Sequence, residues 1–299
     1  VRRHLLALAS AALLVAAAAP PPEGLAPPPE RLPAAGGGLV LAVEDGDTLD
    51  MDDGRVVRLA GIEAPKPPVG RNEPGGHNEG RHWPLAEAAR AALGELALGR
   101  RIELRGAGTA DRHGRILAHV VRDDGVWLQG ALLTRGLARV HTRPDARDLA
   151  TDMLALETGA RGAGRGLWRT RAFAVRPAEP PALERDIDSF QIVEGRVVSA
   201  AKVHGQVFLN FGADWRDDVT VRISPEALKV FTRAGVDPMG LEGRAVRVRG
   251  WVGLRNGPMI EATHPEQIEA VDGAALPHPP PRRTAARHVD EDADGEDRP

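Results

Sequence analysis

Asp45-Gly46-Asp47-Thr48 and the later run Arg58-Leu59-Ala60-Gly61-Ile62-Glu63-Ala64-Pro65-Lys66 are the stretches on which the reading of this chain turns. Apolar residues flank the first of them, so Leu39–Val43 and Thr48–Met51 read as strands joined at a tight acidic turn. Asp52-Asp53-Gly54 is a hairpin turn, and Val56–Ala60 is the next strand. Asp47 and Glu63 therefore stand at strand ends, where two carboxylates can converge on a hard divalent cation. A third stretch, Asp111-Arg112-His113-Gly114-Arg115, adds a second arginine to Arg58. Two arginines can hold a phosphate by bidentate hydrogen bonds and stabilise charge on a pentavalent phosphorus.

Outward from these motifs, Pro65 to Pro84 is a long loop rich in proline and glycine. Leu85–Leu98 is an alanine- and leucine-rich amphipathic helix that stops at Gly99. Arg101–Leu104 and Ile116–Val121 read as strands, and Trp127–Arg135 and Asp145–Ala160 as helices. The fold class is mainly β, a small barrel with helices attached.

The order and spacing of the motifs resemble the staphylococcal nuclease (thermonuclease) family. The resemblance runs from about Val40 to Trp168 and includes the run Gly130–Val140 and the closing Gly166-Leu167-Trp168. It implies an OB-fold barrel with three helices and calcium-dependent cleavage of DNA and RNA phosphodiesters. By position, Asp47 matches a metal-ligand aspartate and Glu63 the second ligand. The backbone carbonyl of Ala64 matches a further ligand, and Asp45 a supporting acid. Arg58 and Arg115 match the two phosphate-binding arginines. One departure stands at the base position, where the family has a glutamate and this chain has Lys66. A protonated lysine cannot accept a proton, and its charge repels a cation 4 Å away by about 4 kcal/mol at an effective dielectric of 20. The family's stacking tyrosines are also missing, and His113 and His141 lie near those positions. The loop acids Glu73 and Glu79 are alternative bases. His77, Glu79 and His82 fit no familiar metal signature and read as a polar surface loop.

The 299 residues allow two ordinary domains, and zero cysteine excludes a disulfide scaffold, a thiolate zinc site and a cysteine nucleophile. The formal net charge of −3 excludes a bulk polycation. Arg2 and Arg3, the apolar run Leu5–Ala19 and the prolines after it read as a signal peptide over residues 1–19. Export to the periplasm or outside the cell is expected, with no stable membrane insertion after cleavage. Residues 20–37 read as a Pro/Ala/Gly-rich linker, 38–170 as the nuclease-like domain and 171–188 as a second linker. Residues 189–271 read as a further domain and 272–299 as a disordered acidic tail.

In the second domain, Ile192–Val198, Val207–Phe211, Val219–Ile223 and Ala245–Val252 read as strands, with a helix from Pro225 to Ala234. This order suggests a second, smaller OB-like barrel. Arg222, Arg247, Arg249 and Arg255 with Trp215, Trp251 and Phe211 are candidates for a groove tracking a nucleic-acid strand. The expected function is an exported, calcium-dependent nuclease acting on DNA or RNA, slowed by Lys66. The alternative is a catalytically degenerate nuclease-fold module that binds nucleic acid or a protein.

Overall fold

The computed structural model describes residues 28–66, 83–271 and Leu276. The expected signal peptide, the loop residues Glu73, His77, Glu79 and His82, and nearly all of the acidic tail lie outside the described residues. Among the described residues no helix is long and apolar enough to cross a membrane.

The first unit is a closed five-stranded barrel with helices on it. Its strands are β1 (Ala34–Asp45), β2 (Thr48–Met51), β3 (Val56–Leu59), β5 (Arg101–Ala110) and β6 (Ile116–Arg122), ordered β1-β2-β3-β6-β5. β3 and β6 run parallel, with Arg58 beside Leu117; the other pairs are antiparallel. A short β4 (Ile62–Glu63) leaves the barrel and pairs with β7 (Arg139–Val140). Three helices close the unit: α1 (Ala86–Ala97), α2 (Leu128–Arg135) and α3 (Ala150–Gly162). Gly136, left-handed at φ 68°, ends α2 by donating to Leu132 and Leu133 carbonyls, as a glycine C-cap does. Val40, Leu49, Val57, Leu104, Val120, Leu93 and Leu132 fill the core between barrel and helices.

Several boundaries differ from the sequence reading, among them the end of β5, which runs on to Ala110 rather than stopping at Leu104. β1 begins at Ala34, inside the expected linker, because Gly37 lets the backbones approach: a Cβ there would lie 2.4 Å from the Ile102 carbonyl oxygen. α3 begins at Ala150 rather than Asp145, because Arg143 and Ala146 pair in a turn and Leu149 takes φ 57°.

Residues 171–188 are packed rather than a free linker. β8 (Arg176–Pro177) pairs in parallel with β9 (Ser189–Arg196), and α4 (Pro180–Leu183) buries Leu183 in the second core. The second sheet continues with β10 (Ser199–Val203), β11 (Gln206–Asn210), β12 (Thr220–Ile223), β13 (Ala245–Leu254), β14 (Pro258–Glu261) and β15 (Ile268–Ala270). Its order is β10-β11-β12-β14-β13-β9-β8, with β15 on β13 and β12 parallel to β14. With β9 and β10 taken as halves of one bent strand, this is the pairing order of the first barrel. α5 (Pro225–Arg233) starts at Ser224, whose hydroxyl accepts from the Ala227 N–H, with proline at the first helical position.

Candidate active site

The turn between β1 and β2 is built around a close approach. A Cβ on Gly46 would lie 2.6 Å from Ala64 Cβ and 2.7 Å from Ala89 Cβ, so the turn lies flush against residue 64 and α1. This contact drives Asp47 inward to 0% exposure. Asp47 Oδ2 accepts the Ala64 N–H at 2.8 Å, and the Asp47 N–H donates to Asp45 Oδ1 at 2.9 Å. Ala64 therefore reaches the acid through its N–H. Asp47 Oδ1 faces three donors: Thr48 Oγ1 at 3.2 Å, Arg58 Nη1 at 3.4 Å and Lys66 Nζ at 2.5 Å. Lys66 Nζ also donates to Asp45 Oδ2 at 2.7 Å. Burial pushes the Asp45 carboxyl up, but the Lys66 ammonium outweighs it and holds Asp45 below its ordinary value. Burial pushes Asp47 up against the pull of Lys66 and Arg58.

Glu63 belongs to a different cluster. Its Oε2 lies 3.3 Å from His141 Nδ1, and across the β4–β7 pair it stands opposite Arg139. Burial pushes the Glu63 carboxyl up; His141, Arg139 and Arg58 more than compensate and hold it at about 2. The Arg139 guanidinium lies 4.8 Å from the Phe173 ring centre and 4.9 Å from that of Phe190, and its Nη1 donates to the Phe190 carbonyl at 3.1 Å. The His141 ring packs against Phe190 with centres 4.6 Å apart. The second unit thus supplies Phe190 to both residues that flank Glu63, Arg139 and His141.

Arg115 is clamped by its own hairpin. Its Nε donates to Asp111 Oδ2 at 2.9 Å and its N–H to Asp111 Oδ1 at 3.0 Å. Burial pushes Asp111 up, and these bonds with the His113 N–H together outweigh it and hold it at about 2. Arg58 and Arg115 line one cleft of about 520 Å³ together with Arg112, His113, His141 and Arg143. Asp111 is the acid among its lining residues, so the cleft is strongly basic although the whole unit is charge-balanced. The sequence reading missed Arg143 and the pairing of His141 with Glu63. Neither carries a motif; both follow from β7 lying beside β4.

The residues expected to hold calcium do not fit it. Calcium takes six to eight oxygen ligands. Here Asp47 is saturated by an N–H and an ammonium, and Glu63 turns to His141. Among the described residues no group of three or more histidines, aspartates or glutamates is placed to hold a metal ion.

The candidate nucleic-acid residues of the second unit divide. Arg249 is a correction: it is 1% exposed and ion-paired to Glu157 and Glu269, so no strand can reach it. Arg247 is paired with Glu194. Arg222, Arg255 and Trp215 come together in a cleft of about 470 Å³ with Phe208 and Met259. Phe211 packs against the core. Trp251 is 47% exposed and lines a separate cleft of about 270 Å³ at the seam between the units. That seam cleft shares His141 and Arg143 with the basic cleft and adds Phe190 and His264.

No curated protein matches this chain in sequence. Among known families, residues 56–170 match the one described as staphylococcal nuclease homologue. The match takes in Arg58, Glu63, Lys66, Arg115 and His141, and the acidic turn 45–47 precedes it. With the closed barrel, its parallel β3–β6 pair and its packed helices, the matched stretch is a domain of the staphylococcal nuclease homologue family.

Proposed function

We propose that the protein is a nuclease that acts on the phosphodiester backbone of DNA or RNA in the basic cleft. The observation that carries this is the convergence of Arg58 and Arg115 on one cleft beside buried carboxylates, within a nuclease-family domain. Each arginine keeps its orientation through a carboxylate, Asp47 or Asp111, and presents its remaining N–H donors to a phosphate. Charge that builds on the non-bridging oxygens at the transition state is stabilised there. His141, with Nδ1 toward Glu63, lines the cleft and is the group placed to take a proton from an attacking water. Calcium, which the family resemblance brings, has no complete donor set here, and no step is routed through it. The N-terminal segment supports export as part of the same proposal.

A second reading is favoured by Lys66: a nuclease-fold module that binds nucleic acid without cutting it. Hydrolysis and binding of single-stranded DNA and RNA, with calcium and then with chelator, separate the two. Cleavage lost in Arg58→Ala/Arg115→Ala supports the enzyme. Binding lost in that variant, with no cleavage by the wild type under any condition, supports the module. Neither binding nor cleavage by the wild type overturns both.

A further inference from the structure

We propose that the ammonium of Lys66 is the resident cation of the Asp45–Asp47 pair, filling the place a divalent metal would take. The lysine Nζ donates to Asp45 Oδ2 at 2.7 Å, the distance of a charge-assisted hydrogen bond, and is in direct contact with Asp47 Oδ1. It is not a surface lysine resting on an acid. Asp47 is wholly buried, and the two residues before Lys66 are fixed, Ala64 by its N–H to Asp47 and Pro65 by its ring. The close approach at Gly46 presses residue 64 against the acidic turn, so the lysine stem leaves from a fixed point beside it.

The charges also close. Asp45 and Asp47 contribute two negative charges; Lys66 and Arg58, 3.4 Å from Asp47, contribute two positive ones. A divalent ion added to this balanced and largely buried group would leave an excess of two positive charges. It would also have to displace the Ala64 N–H or the ammonium to find oxygen lone pairs. The acidic turn therefore holds its shape without metal, and the site keeps a fixed positive charge under Asp47 regardless of the ions in solution. This inference concerns the acids beside the basic cleft, and its test reads ion binding rather than cleavage, so it can fail independently of the nuclease reading.

The test uses the full chain with calcium ion as probe. The sequence has three lysines, Lys66, Lys202 and Lys229. Reductive methylation with labelled formaldehyde therefore gives a short set of resonances in which Lys66 can be assigned by substitution. Two further measurements accompany it, each on wild type, Lys66→Met and Asp47→Asn: calorimetric calcium titration and thermal unfolding. Expected are no saturable calcium binding and no calcium-dependent shift of the unfolding midpoint for the wild type. The Lys66 resonance should also stay unmoved by calcium. Lys66→Met, which leaves the two acids with Arg58 alone and one negative charge uncompensated, should unfold at a lower temperature in chelator and be raised by calcium. Saturable calcium uptake by the wild type that is lost in Asp47→Asn overturns the proposal. A folded Lys66→Met that ignores calcium overturns it as well. Should Lys66→Met not fold in chelator, recovery of folding in calcium supports the proposal, and failure of Lys66→Arg to fold without calcium counts against it.

Discussion

Arg249 on β13 and Glu157 on α3, 92 residues apart in the chain, form a fully buried two-pronged ion pair across the seam between the two units. Arg249 Nη2 meets Glu157 Oε1 at 2.9 Å and Nη1 meets Oε2 at 3.1 Å; Nη1 also donates to the Val140 carbonyl at 3.0 Å. Glu157 in turn accepts the Val140 N–H at 2.6 Å and Arg161 Nη1 at 2.9 Å. Burial pushes Glu157 up and Arg249 outweighs it, so the carboxylate stays ionised in a dry place.

Removing one partner should therefore cost more than the pair is worth. Arg249→Met and Glu157→Gln are each expected to lose about 3–5 kcal/mol of stability, because each leaves uncompensated charge in the seam. Urea unfolding reads this. If either single variant unfolds within about 1 kcal/mol of the wild type, the pair is not buried as described.

Asp111 should act through Arg115. Asp111→Asn removes the anion that orients the guanidinium but leaves Arg115 in the cleft. The expected result is weaker binding of single-stranded DNA than wild type yet stronger than Arg115→Ala, with a smaller salt dependence in Arg115→Ala. Equal affinities for wild type and both variants would take the hairpin out of the binding cleft.

Mild acid should loosen the molecule in two steps. Burial drives both His119 and His264 down to about 4. Their folded values lie below the ordinary 6.5, so the unfolded chain binds protons first as pH falls. Stability contributed by the neutral forms is present above 6.5 and is lost between 6.5 and 4, at most about 3 kcal/mol for each histidine. His264 bonds Thr142 at 2.7 Å across the seam, so this loss falls on the contact between units. Glu63, at about 2 when folded against 4.5 ordinarily, adds stability above 4.5 that is lost as pH falls toward 2. Thermal unfolding at several pH values checks both steps. His264→Gln should flatten the first and Glu63→Gln the second.

Two glycines should respond in opposite directions. Gly46→Ala meets Ala64 and Ala89 and is expected to cost about 1–3 kcal/mol through displacement of the acidic turn. Gly94, inside α1 with nothing within 4 Å of a new Cβ, should gain about 0.5–1 kcal/mol as Gly94→Ala. Chemical denaturation of the two variants reads both, and a stabilised Gly46→Ala would contradict the close approach.

Much of the first barrel was legible because its turns are written in Asp-Gly pairs and its helices in spaced leucines and alanines. Thr48–Met51 was recovered residue for residue, and the structure brings Arg58 and Arg115 to one cleft. The start of β1 was hidden because Gly36-Gly37-Gly38 looks like a linker and is a strand only through its fit against β5. Arg249 was misread for a related reason. In Val246-Arg247-Val248-Arg249-Gly250-Trp251 the alternation marks one face of a strand. Whether that face meets solvent or a glutamate 92 residues away is set by the packing of the two units. Lys66 is the sharpest instance. Its departure from the family pattern was plain, but the side chain's destination depends on the turn at Gly46 and on the N–H of Ala64.

Phe190 gives the second unit a standing that its sequence does not advertise. Its ring packs against His141, its carbonyl accepts from Arg139, and those two residues flank Glu63. The second sheet is thus a wall of the first unit's acid cluster and not an interchangeable attachment. Any foreign domain grafted after residue 188 would have to bring an aromatic ring and a correctly aimed carbonyl to the same spot, or Glu63 would be rehoused among strangers.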